Sequence, residues 1–187
     1  VKAKAMDVSR ARHTVVLHLQ LPCLVFFAAS RLRVRLYGMD AAKTVRIVGV
    51  GNRHRRDDGV GLTVAERIRA EGLPGVEVVE SGGDATALME AWSGVSRVFV
   101  IDAVHSGAAP GTVVRVDAVR DPLPSEAFQT STHAFGLAAA VELARALGQL
   151  PPALVVYGIE GADFGHGEGL SSEVAAAVPE IVDRMRF

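Results

Sequence analysis

A chain of 187 residues, 49% hydrophobic and 22% charged, suffices for one folded domain with a full core, and little beyond it. A formal net charge of −1 gives no bulk attraction for nucleic acid or an anionic membrane, so neither partner is expected. The balance is uneven: residues 1–38 hold seven Lys/Arg against one acid, and residues 39–187 hold thirteen against twenty. The single cysteine, Cys23, lies in the basic piece, so the remainder has no thiol chemistry and no disulfide. That fits a reducing compartment, and a cytoplasmic location is expected.

Taken in order, the first segment has a basic start (Lys2, Lys4, Arg10, Arg12). An apolar stretch follows, interrupted by His18, Gln20 and Pro22, and ends LVFFAAS. This is the outline of a secretory signal, though too short and broken for a membrane span of about 20 apolar residues. The alternative is an over-long reading frame or an appended segment, with Met39 as the native start. The expectation adopted is that residues 1–38 are a non-native or disordered extension and that residues 39–187 form the functional domain.

From Thr44 onward, strand and helix patterns alternate. TVRIVGV is a β-branched apolar run stopped by Gly51 and reads as a buried first strand. VGLTVAERIRAEG carries Val60, Val64 and Ile68 at helical spacing and closes on Gly72. VEVVE is a second strand, ATALMEAW a second helix after the Gly82–Gly83 turn, and RVFVIDAV a third strand apolar on both faces. GTVVRVDA alternates more cleanly, as an edge strand does, and could be antiparallel. HAFGLAAAVELARALG is the longest helix, ALVVYGI the fifth strand, and SSEVAAAVPEIVDRM a last helix that Pro179 should kink or break. The sum predicts an α/β three-layer sandwich: a mostly parallel, twisted five-stranded sheet with helices on both faces.

In such sheets, sites form in the crevice beyond the carboxyl ends of the strands. Three segments offer polar side chains there: GVGNRHRRDDGVG after the first strand, Asp102 behind the third, and STHAFG with His133 at the start of the long helix. Asp58, Asp102 and His133 could converge, and two carboxylates with an imidazole suit a divalent cation of the zinc, nickel or cadmium type. Each has a plainer reading. Asp58 could simply favour the positive end of the following helix, with Asp57 as its N-cap. Asp102 could be a structural hydrogen-bonding acid, although a carboxylate closing a buried strand needs a cation or several donors. His133 could bond the backbone at its helix start. His54 lies in a basic loop with Arg53, Arg55 and Arg56, where solvation is the default; His105 and His166 should face solvent beside glycines, with contact to the site for His105 and a place in the cleft lining for His166 as the alternatives.

Nucleotide sites are disfavoured. The dinucleotide pattern would need Gly where His54 stands, the Asp57–Asp58 pair would repel a pyrophosphate, and no Gly-Lys-Ser/Thr follows for a P-loop. There is also no Ser in a G-x-S-x-G elbow to serve as nucleophile.

Six segments together resemble the hydrogenase maturation proteases. These are GVGN followed by DDGVG, GG after the second strand, VIDA, PGTV, STHAFGL, and GLSSEV before the last helix, spanning residues 44–187. The resemblance implies an endopeptidase that removes a C-terminal peptide from the nickel-loaded large-subunit precursor of a nickel–iron hydrogenase. It also implies Asp58, Asp102 and His133 as the catalytic, metal-contacting triad. Nickel would arrive with the precursor, and the enzyme is expected to be a monomer. Two departures stand out: some relatives have Glu where Asp58 stands, and Arg53–Arg56 is more basic than the family pattern and could steer an acidic partner segment. Hydrolysis could use a metal-bound water or a carboxylate acting as general base. A non-catalytic nickel chaperone using the same ligands is the alternative.

Overall fold

A computed structural model describes residues 44–124 and 134–186, all within a compact unit that runs from Ala41 to Phe187. The proposed extension 1–38 and His133 lie outside the described residues.

Strand β1 (Val45–Val50) leads through a 3-10 turn (Arg56–Gly59) into helix α1 (Val60–Glu71). Gly72 ends that helix at φ 62°, a left-handed conformation that costs glycine little. Strand β2 (Val76–Ser81) is followed by α2 (Ala85–Trp92). The side chain of Asp84 caps α2, accepting from the Thr86 and Ala87 amides at 3.0 and 3.1 Å. Strands β3 (Arg97–Val104) and β4 (Val113–Asp117), helix α3 (Ala134–Ala146), strand β5 (Ala153–Glu160) and helix α4 (Ser172–Arg184) complete the chain. Helix α4 does not break at Pro179; Val178, Ile181 and Val182 around it are buried against the sheet.

The sheet order is β2-β1-β3-β5-β4, parallel except for the antiparallel edge strand β4. Alternation along the strands divides the core in two. Val48, Val50, Val98, Val100 and Val156 pack with Leu88, Trp92, Leu137 and Val141 of α2 and α3. Ile47, Ile101, Tyr157 and Ile159 pack with Val64, Ile68, Val178 and Ile181 of α1 and α4. Burial on this scale, at about 25 cal/mol per Å² of apolar surface, is the main force closing the sandwich.

The registers create the crevice. The β1–β3 ladder ends at Gly49–Ile101, whereas β3 and β5 stay paired through Val104–Glu160. Strand β1 then turns away into α1, whose return strand β2 lies on the other side of β1 from β3. The gap between β1 and β3 is therefore the topological switch point, where open α/β sheets bind ligands.

Candidate active site

Glycines set how closely α1 approaches the sheet. A side chain on Gly61 would overlap the carbonyl oxygens of Val50 and Ile101, and one on Gly49 would meet the Gly61 carbonyl. A side chain on Gly51 would overlap the Asp58 carbonyl, which also accepts the Asn52 amide at 3.3 Å. The spacing in GVGN and DDGVG is thus the contact pattern of a turn pressed onto two strand ends. It holds Asp58 beside the end of β1, and places Gly61, three residues on, against the residue that precedes Asp102.

Asp58 and Asp102 are both fully buried. Asp102 lies inside β3, one residue past the last β1–β3 pair, rather than beyond the strand. Alternation with Val98, Val100 and Val104 puts it on the α2/α3 side of the sheet. Its cross-strand neighbour on β5 is Gly158, which contributes no side chain. Asp102 Oδ1 accepts the Ala103 amide at 2.8 Å.

Asp57 has a different role from its neighbour, and it does not cap α1. The residue at that cap is Gly59, with no side-chain bond. Asp57 Oδ2 accepts from the amides of Ala162 and Asp163 at 2.8 and 2.9 Å and from the Ser171 hydroxyl at 3.0 Å. Its Oδ1 accepts the Ser171 amide at 2.7 Å. Four donors from the β5–α4 loop occupy this carboxylate. Of the two adjacent acids, Asp57 is the fastener.

The start of α3 is fixed by another glycine contact. A side chain on Gly136 would overlap the Gly83 carbonyl, so α3 begins against the loop that follows β2, at the same end of the sheet. Ala134, its first residue, follows His133 directly in sequence. Two members of the expected triad thus occupy adjoining elements at the switch point, while His133 is outside the described residues. Among the described residues no group of three His, Cys, Asp or Glu side chains could hold a metal ion. Two buried carboxylates are nonetheless a donor set suited to a hard or borderline divalent cation, with a third ligand and open positions still to be filled.

Sequence reasoning missed Glu160. It is 1% exposed, and its carboxylate accepts from the amides of Ser106 (2.8 and 3.0 Å) and Gly107 (2.9 Å) and from the Ser106 hydroxyl (2.7 Å). It pins the β3–β4 loop that leaves the site. The signal was present in GIEG, an acid directly behind an apolar strand, just as in VIDA. His105 is half exposed, with its ring edge-on to Phe164 at 5.7 Å and Nδ1 4.0 Å from Glu160. His54 is exposed near Glu168, at 3.4 Å. The Arg53–Arg56 segment is less free than a solvated loop: Arg53 pairs with Glu66 and Glu80, and Arg55 donates to the Phe164 carbonyl at 3.1 Å.

With this geometry in place, comparison with known proteins is decisive. The family described as hydrogenase maturation protease matches residues 62–186. The chain belongs to this family. A Methanocaldococcus jannaschii protein named for hydrogenase maturation protease activity is 30% identical over 148 residues, which cover 75% of this chain and 93% of that one. The nickel–iron hydrogenase maturation protease HybD from Thermococcus kodakarensis superimposes with a TM-score of 0.62 at 29% identity, covering 75% of this chain and 95% of that one. The hydrogenase maturating endopeptidase HybD from Escherichia coli gives a TM-score of 0.65 at 24% identity, over 75% and 88% of the two chains, and supports the fold.

As a hydrogenase maturation protease the chain is a peptidase, and the shared segments acquire physical reasons. The GG after β2 receives Gly136 of the STHAFGL segment. The glycine of PGTV, Gly111 at φ 80°, lies against the Glu173 carbonyl at the start of α4. GLSSEV supplies Ser171, which binds Asp57 and is the N-cap residue of α4. No helix among the described residues is long and apolar enough to cross a membrane.

Proposed function

We propose that this chain is the endopeptidase that removes a short C-terminal peptide from the nickel-loaded large-subunit precursor of a nickel–iron hydrogenase, acting as a cytoplasmic monomer. The observation that carries the reading is the burial of Asp58 and Asp102 on adjoining elements at the switch point, while Asp57 is committed to the β5–α4 loop. Exposed large apolar side chains among the described residues are confined to Leu143 and Leu147, which supports a monomer.

On this reading nickel belongs to the substrate. Asp58, Asp102 and His133 reach it and hold the scissile peptide beside it, so that an unloaded precursor is poorly positioned. A divalent ion at these ligands would polarise the carbonyl or acidify a bound water. The chain's own contribution is a pair of carboxylates able to orient a water and accept its proton as it attacks the peptide carbonyl. The proton then passes to the leaving amine. Positioning of water and carbonyl accounts for much of the rate.

The test is incubation with nickel-loaded precursor, followed by mass spectrometry of the large subunit. The expected result is loss of a short C-terminal peptide, with Asp58→Asn, Asp102→Asn and His133→Ala slowed by roughly a thousandfold, on the scale of removing an acid–base group and its positioning. Variants that cleave at the normal rate would refute the site. A wild-type protein that binds the precursor and never shortens it would instead be a chaperone.

A further inference from the structure

The loop carrying Asp57 and Asp58 and the loop between β5 and α4 are knitted together. The Arg56 and Gly167 amides donate to Gly167 and His54 carbonyls at 3.0 Å each, and the Asp57 amide donates to Asp163 at 3.1 Å. Between the two loops lies a cavity of about 200 Å³, open to solvent, lined by Arg53, Arg56, Thr63, Glu168, Leu170 and the backbone of Gly59. Gly59 is the residue directly after Asp58, so the cavity starts one residue from the proposed site.

Arg56 is held there under backbone strain. Its φ of 48° makes it the one non-glycine residue with positive φ among the described residues. A left-handed arginine is uncommon, and such strain concentrates where a side chain must be aimed. Its Nε lies 3.3 Å from Asp163 and 3.4 Å from the His166 carbonyl, both long, and neither Nη group hydrogen-bonds a described residue. The outer edge of this guanidinium, with paired N–H donors, is the edge that matches a carboxylate. Arg53 adds a second cation, bridged to Glu66 and Glu80 at 2.5 and 2.7 Å by partly exposed pairs that water screens. Of the described carboxylates near these cations only Glu168, largely exposed near His54, lines the cavity; Asp163, Glu66 and Glu80 pair with the arginines from outside the lining. Leu170 supplies an apolar wall for the stem of a side chain.

We propose that this cavity is a substrate subsite that receives an aspartate or glutamate side chain from the C-terminal segment of the precursor, with Arg56 as its principal donor and Arg53 as its second. The assignment rests on the endopeptidase reading for the identity of the substrate. It explains the basic Arg53–Arg56 segment, which the hydrolytic chemistry does not require.

Two measurements on the full chain test it. In the first, acetyl-glutamate methylamide and its glutamine counterpart are titrated separately while the Gly59 and Thr63 amides are followed by NMR. Shifts with the glutamate probe alone, lost in Arg56→Gln, support the subsite; no shift, or equal shifts with both probes, overturns it. Arg53→Gln carries the same comparison if Arg56→Gln is unfolded. In the second, Arg56→Gln should raise KM for the precursor roughly tenfold, the scale of one charge-assisted hydrogen bond, while kcat changes much less. An unchanged KM would count against the subsite. If the wild-type chain cleaves no precursor, the endopeptidase reading falls, and the probe titration still decides whether the cavity binds carboxylate.

Discussion

Ser171 binds both oxygens of Asp57, its amide to Oδ1 at 2.7 Å and its hydroxyl to Oδ2 at 3.0 Å, across 114 residues of sequence. The first loop and the start of α4 are thereby one structural unit. Asp57→Ala would strand the amides of Ala162, Asp163 and Ser171 without their acceptor. The expected loss is about 3 kcal/mol or more, because each orphaned donor retains its desolvation cost. Asp57→Asn should lose less, since one oxygen still accepts and only the amine-bearing side confronts an N–H. Urea midpoints of the three proteins check the order wild type, Asn, Ala; an alanine variant as stable as wild type would refute the fastener role.

Gly136 and Gly83 make the equivalent joint on the other face of the sheet. Gly136→Ala places a methyl group on the Gly83 carbonyl oxygen, so α3 must move away from the β2 loop. Overpacking of this kind costs about 1–3 kcal/mol, which lowers Tm by several degrees in a domain of this size. Activity should fall further than stability explains, because the displaced end of α3 carries the chain towards His133. Calorimetry beside a cleavage assay on folded protein separates the two effects. Equal Tm for variant and wild type would show that the contact is slack.

Glu160 holds the Ser106 and Gly107 amides in a loop that is otherwise exposed. Glu160→Gln removes the charge and turns one acceptor oxygen into a donor group. The Ser106 and Gly107 amides should then exchange with solvent about tenfold faster or more, while core amides such as Val100 keep their protection. Amide exchange followed by NMR reads this directly. Unchanged rates at both positions would mean that the loop is held by something other than this carboxylate.

The layout was legible because its causes are local. β-Branched runs, helical spacing and the Gly72 stop are properties of short windows, and all nine strands and helices appear where the patterns put them. The edge position of β4 also followed from its alternation, which left its direction open; pairing with β5 is antiparallel. At Pro179, where the local rule allows a kink or a break, the helix does not break, because Val178 and Ile181 on either side are buried in the core. The site was half legible. Asp58 and Asp102 could be singled out as candidates by their position after apolar strands, but the fastening role of Asp57 depends on donors more than a hundred residues away. Glu160 escaped notice because its donors, too, are remote in sequence, 53 and 54 residues away. Its partners come from a glycine-containing loop whose path no local pattern dictates.

Acid sensitivity offers a last test, centred on Glu80. Its hydrogen bond to Arg69 holds its carboxyl below the ordinary 4.5, against the opposing effect of burial and with further help from Arg53. Glu71 is lowered in the same sense by Arg186, and Asp84 by the Thr86 hydroxyl and the Ala87 amide. A carboxyl lowered by folding stabilises the native state above its unfolded pKa. That stabilisation is lost as pH falls through the lowered folded value. Glu80→Gln should therefore be slightly less stable than wild type near neutral pH, the difference being small because the ion pairs are partly exposed and screened by water. As pH falls through that lowered value the two should converge, since protonated Glu80 and glutamine carry the same charge. Urea unfolding across that range checks the sign. A gap that widened towards acid would require Glu80 to be destabilising as an anion, contrary to its contacts with Arg53 and Arg69 at 2.7 and 2.6 Å.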